Sequence, residues 1–313
     1  MTDLQIRKIL FDFDDDVPFV WNPSNPEFAI MCNAVGILAI AFEKFVVATM
    51  AKAMPLIEDP EMRAEADAFT RQEGQHSRMH RRHVAALIRT YPGVQDTLDQ
   101  AVASFDELLD TKPLAFNLAY TADLEATFTP IFRVFLDHHE TLYKPGDDRV
   151  ASLFLWHFVE EVEHRSHALL IYRHLIGREA YRFRVFPEIW KHVVTVLSDA
   201  LHSFMEVIPP EDAMIDMARV LPSRMYRREI AGRLPVLKHR IHADGTGTAL
   251  QDASSWELFR MLLGLLGSQT PGHDPTDQPL PAFADEWFRA YDDGVDVSTW
   301  YASTAAAQTA GVA

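Results

Sequence analysis

Apolar residues recur along this chain at three- and four-residue spacings, and strand-like alternation is scarce, so the pattern predicts helices almost throughout. Pro and Gly fall where those helices should stop. After an irregular arm, "FDFDDDVPFVWNPSNP", a first helix is expected over about 27–54 and a second over about 60–91, with Pro60 suited to its first turn. A shorter amphipathic helix, "VQDTLDQAVASFDELLD", precedes a third long one, "KPLAFNLAYTADLEATFTPIFRVFLDHHE", interrupted or kinked at Pro130. After a turn at "KPGDD", a fourth is expected over about 148–176, followed by "EIWKHVVTVLSDALHSFMEVI", which Pro209 and Pro210 stop. Beyond 211 the pattern weakens to short helices such as "SRMYRREIAGRL", "SSWELFRMLLGLLG" and "PAFADEWFRAYDD". The expectation is an all-α chain: an arm over 1–25, a helical bundle over 26–207, a helical extension packed on it over 208–300 and a flexible tail over 301–313.

Composition narrows the chemistry. At 313 residues and 48% hydrophobic content the chain can bury a large core. Its 29 basic against 45 acidic residues, a net charge of −16, argue against nucleic acid or an anionic membrane as the main partner. Part of that acidity is available to a bound cation. Cys32 is the only cysteine, which excludes internal disulfides, Cys-rich zinc sites and iron-sulfur clusters and fits a reducing cytoplasm. The N-terminus lacks the pattern of a signal peptide, and the most apolar stretch, "FAIMCNAVGILAIAF", ends at Glu43 and Lys44 and reads as a buried helix, with no transmembrane segment expected.

The fourth long helix carries "WHFVEEVEH" in otherwise apolar surroundings. Each helical residue advances about 100°, so His157, Glu161 and His164 share one face, while Glu160 lies at its edge and Glu163 points away. The second helix carries Glu73 and His76 at the same Glu-x-x-His spacing, and single acids, Glu43 and Glu125, interrupt the apolar first and third. Isolated carboxylates turned into a bundle interior cost several kcal/mol unless a cation joins them. The order Glu, Glu-x-x-His, Glu, Glu-x-x-His on four long helices is that of di-iron or di-manganese sites in ferritin-like four-helix bundles. His157, one turn before Glu161, is a candidate seventh ligand. His80 and His83, in "HSRMHRRH", read as part of a solvated basic face, and His167 lies near the edge of the site stripe.

"FEKFV", "FTRQEGQHSRMH" and "WHFVEEVEHRSHA", with the arm, resemble a bacterial family of ferritin-like proteins labelled predicted metal-dependent hydrolases, over about residues 8–205. The His-x-x-x-Glu-x-x-His spacing is also similar to the last ligand helix of di-iron arylamine N-oxygenases. These resemblances imply Glu43, Glu73, His76, Glu125, Glu161 and His164 as ligands with His157 added, Glu160 orienting His76 and Gln72 orienting His164. They also place Thr129 where some di-iron monooxygenases have a pocket threonine; a threonine bonded to its own helix is the equal alternative.

The leading expectation is a di-iron oxygenase, with two iron ions (manganese or a mixed pair also fit), O2 as co-substrate, a small organic substrate and an external electron donor or reductase. Phe42, Val46, Phe69, Phe128, Phe132 and Phe158 are candidate pocket walls or ordinary core. The alternatives are a metal-dependent hydrolase, in which a metal-bridging hydroxide attacks an ester, amide or phosphate, and an iron-oxidising or storage protein. Storage alone leaves the C-terminal third unexplained, where a lid, a pocket cover or a homodimer surface is expected.

Overall fold

A computed structural model describes residues 4–241, 243, 245–277 and 279–310, and among them every regular element is a helix. Four long helices surround the centre: α1 (Pro26–Ala53) and α2 (Pro60–Thr90), then, after α3 (Val94–Thr111), α4 (Leu114–Asp137), and, after the single turn α5 (His139–Leu142), α6 (Asp148–His164). Their starts follow local chemistry. Asn25 accepts from the Phe28 amide ahead of Pro26, and Asp59 and Asp147 accept from the first free amides of α2 and α6. In the closed bundle α1 packs on α2, α2 on α6, α6 on α4 and α4 on α1, which leaves α3 outside.

Helix α1 is long and apolar enough to cross a bilayer by length and composition, yet 78% of its most apolar window is buried within the protein. The expected kink at Pro130 does not break α4, which is helical on both sides of it. The fourth helix, expected to run to about 176, stops at His164 and resumes as α7 (His167–Leu175). Side chains capture the carbonyls at this break: Arg165 donates to Val162 O at 2.6 Å, and the His167 Nδ1 sits 3.0 Å from His164 O.

Helix α8 (Glu179–Val207) begins earlier than expected and carries Pro187 within it; buried Arg182 ties its first turns to Asp123 of α4 at 2.7 Å. Beyond it come the single turn α9 (Pro210–Ala213), α10 (Pro222–Arg233), α11 (Pro235–Ile241), α12 (Ser255–Ser268), α13 (Ala282–Asp292) and α14 (Trp300–Ala310). Of the tail expected over 301–313, Tyr301–Ala310 is helical: the Asp148 carboxylate accepts from the Tyr301 and Ala302 amides. Residues 311–313 lie outside the described set.

The N-terminal arm is extended, and its burial alternates. Arg7, Ile9, Phe11 and Phe13 face inward while Lys8, Leu10 and Asp12 face water, the period of an extended strand without a ladder partner. Phe11 lies 5.4 Å from the Trp156 ring and Phe13 5.3 Å from the His83 ring, so the arm covers the seam of α2 and α6. His83 beneath Phe13, and His80 turned toward Phe154 and His157 of α6, are fully buried and not on a solvated basic face.

Candidate metal centre

Glu43 on α1, Glu73 and His76 on α2, Glu125 on α4, and His157, Glu161 and His164 on α6 all turn inward and are buried. Glu161 is their hub. Its Oε1 lies 2.9 Å from His157 Nε2, 3.5 Å from His76 Nδ1 and 3.7 Å from His164 Nε2. Glu43 Oε1 is 3.2 Å from His157 Nε2, Glu73 Oε1 is 3.2 Å from His164 Nε2 and Glu125 Oε2 is 3.3 Å from His164 Nδ1. Two donor groups emerge, Glu43–His76–His157–Glu161 and Glu73–His76–Glu161–His164, each with one donor atom per residue within 4.8 Å of the others. They share His76 and Glu161. Glu125 adjoins the second through His164.

The donors fit a cation better than they fit one another. Among the described residues, Glu43 Oε2, both Glu73 oxygens, both Glu125 oxygens, Glu161 Oε2, His76 Nδ1 and both His164 nitrogens are buried without a well-aligned hydrogen bond. Buried polar atoms are rarely orphaned, and so many at one point mark a site for an ion. Carboxylate and imidazole suit first-row divalent metals.

Electrostatics agree. Burial, then repulsion from Glu125 and Glu161, pushes the Glu73 carboxyl well above its usual range, and burial with the Glu161 charge pushes Glu125 up to about 7. Burial also raises Glu161, but the imidazoles of His164, His157 and His76 outweigh it and hold this group well below the carboxylate range. At His76 burial opposes the cation, yet hydrogen bonds to Glu160 and Glu161 lift the imidazole to about 10. Without metal the cluster must hold protons, and a cation takes their place.

A supporting layer stands behind the two histidines of the first group. His76 Nε2 lies 2.9 Å from Glu160 Oε2, so a proton there leaves the Nδ1 lone pair directed at the cluster. Glu160 in turn accepts from Arg7 at 3.1 Å, while the same guanidinium donates to both oxygens of Glu163 at 2.8 and 2.9 Å and rests 4.4 Å from the Phe288 ring of α13. His157 Nδ1 lies 2.7 Å from His80 Nε2.

Other expected roles fall differently. Gln72 does not orient His164: its amide donates to Gln5 O at 3.0 Å and to Glu163 at 3.1 Å, because the arm passes on that side of α2. Glu163 is thus half-buried and paired, not an ordinary polar-face residue. His167 leaves the site stripe at the helix break and pairs with Glu65 at 2.8 Å. Thr121 and Thr127 bond their own helix, at Asn117 O and Asp123 O, whereas the buried Thr129 hydroxyl has no hydrogen-bond partner among the described residues.

Among the expected walls, Phe132 stacks on Phe158 at 4.0 Å and lies 6.3 Å from the His157 ring, Phe69 lies 5.1 Å from His164, and Phe42 meets Phe128 edge-on. A cavity of about 360 Å³ begins one residue past Thr129, between Pro130, Arg133 and Val134 of α4 and Glu257, Met261 and Gly264 of α12. None of the seven donors lines it.

Residues 5–235 match the model of the family described as predicted metal-dependent hydrolase. The chain belongs to that family. The matched span contains all seven donors and Arg7, Gln72, His80 and Glu160, and it ends before α12, α13 and α14. No curated protein and no solved structure matches the chain. Arg7 and His80 are the residues that helical spacing missed. Arg7 was within reach, since "RKILFDF" puts it in phase with Ile9, Phe11 and Phe13; His80 shares its helix face with His76 at i+4.

Proposed function

We propose that this chain is a two-metal hydrolase whose ions occupy the two overlapping donor groups. The observation that carries the reading is the shared carboxylate: Glu161 stands within reach of His76, His157 and His164 at once, inside the span matched to the metal-dependent hydrolases. A bound pair supplies Lewis acidity and a water of lowered pKa. The protein does the rest. Glu161, held as a carboxylate, bridges the groups; Glu43, Glu73 and Glu125 complete them; Glu160 and His80 fix the two imidazoles. The Phe132–Phe158 stack excludes bulk water beside His157, and the Thr129 hydroxyl, without a hydrogen-bond partner among the described residues, is available to a substrate oxygen.

The second reading, oxidation of a small organic substrate by O2 at an iron or manganese pair in a ferritin-like site, draws on one specific feature. The donor set mixes hard oxygens with imidazole, buried behind aromatic walls, and tolerates a change of oxidation state. It requires an external electron donor.

One experiment separates the two. The protein loaded with zinc or manganese is assayed on chromogenic esters, amides and phosphates with O2 removed. Turnover lost on Glu161→Ala supports the hydrolase. Silence there, together with stoichiometric O2 uptake by the reduced iron-loaded protein, supports the oxygenase and overturns it.

A further inference from the structure

Helix α12 docks through one face, where Gly264 lies so close to Pro130 that an added Cβ would come within 2.9 Å of its ring. The opposite face is apolar and turned to water: Trp256 is 63% and Leu266 64% exposed, with Phe259, Leu262 and Leu263 exposed between them. At about 100° per residue these five fall in one stripe. Soluble surfaces rarely carry such a stripe without a use for it.

Its surroundings are positively charged in an otherwise acidic protein. Residues 222–241 hold six Lys/Arg and one acid, in a chain of net charge −16. That acid, Glu229, is buried and spent on Arg233 at 2.6 Å. Arg224, Arg227, Lys238 and Arg240 are exposed and have no ion pair among the described residues, and Val236 beside them is 86% exposed. The segment adjoins α12. Arg233 donates to Leu250 O and Ala253 O just before the helix, and Arg233 and Lys238 line one groove with Ser255 at its start, where Asp252 is the single acid among the lining residues.

We propose that α10, α11 and α12 form a peripheral docking face for an anionic lipid surface. Exposed Trp, Phe and Leu beside arginine and lysine make up the composition of helices that lie in a bilayer interface, apolar side down and cations among the headgroups. A two-fold pairing with a second copy would set this cationic patch against itself. The chain-wide charge opposes anionic partners; this patch reverses it locally. The face lies apart from the metal donors, so its test does not depend on the reaction.

The full chain is sedimented with vesicles of phosphatidylserine and phosphatidylcholine in equal parts, and with phosphatidylcholine alone. Binding is expected to the mixed vesicles only, with release in molar salt. Arg227→Ala and Lys238→Ala should each weaken it about fivefold, and Trp256→Asp by about tenfold or more. Circular dichroism and metal content should stay at wild-type levels in all three. Absence of binding, equal binding to both vesicles, or a solution dimer that Trp256→Asp dissociates overturns the proposal.

Discussion

The two Glu-x-x-His pairs share a spacing and differ in what stands behind them. At His76 the outer nitrogen rests on Glu160, Glu160 on Arg7, and Arg7 on Glu163 and the Phe288 face, so a residue of the arm and one of α13 hold a ring at the bundle centre. At His164 both nitrogens face carboxylates, Glu73 at 3.2 Å and Glu125 at 3.3 Å, and no such brace exists among the described residues. Spacing places a donor on a face. Its orientation depends on whatever chain passes behind it, which here is sequence about 70 residues upstream and more than 200 downstream.

Substitutions can test this asymmetry. The largest effect belongs to the carboxylate common to both donor groups: Glu161→Ala should abolish both metal equivalents, measured by elemental analysis after dialysis, and retention of one equivalent would deny its shared role. Next comes the brace. Arg7→Met loosens His76, which both donor groups share, so metal binding should weaken at both by about 10–100-fold, with Arg7→Lys between it and wild type. Unchanged affinity at both would deny that Arg7 braces the ring. The smallest effect is expected at Gln72→Ala, which removes the bonds to Gln5 O and Glu163 and none to His164. Both equivalents should stay bound while chemical denaturation records a loss of about 1 kcal/mol.

The site was legible in large part because helices report themselves locally. Glu43, Glu73, His76, Glu125, Glu161 and His164 stand out as polar residues inside apolar windows, and the 3.6 period puts those that share a helix on one face. His80 and His83 were misread for the same local reason. "HSRMHRRH" looks solvated when α2 is taken alone; in the fold Phe13 of the arm covers His83, while His80 turns inward against Phe154 and His157 of α6. The end of α6 was missed because the bonds that replace the helical ladder come from Arg165 and His167 side chains, residues that fit a helix equally well.

By itself the sequence determined the long helices of the bundle, their order and the faces carrying acids and imidazoles, since each follows from interactions within a few residues. The tertiary structure alone decided that Arg7 clamps Glu160, that Gln72 serves Glu163 in place of His164, that Thr129 has no hydrogen-bond partner among the described residues, and that α12 leaves its apolar face to water. Those outcomes rest on contacts between segments far apart in the chain. No local periodicity encodes which distant residue fills the space behind a histidine.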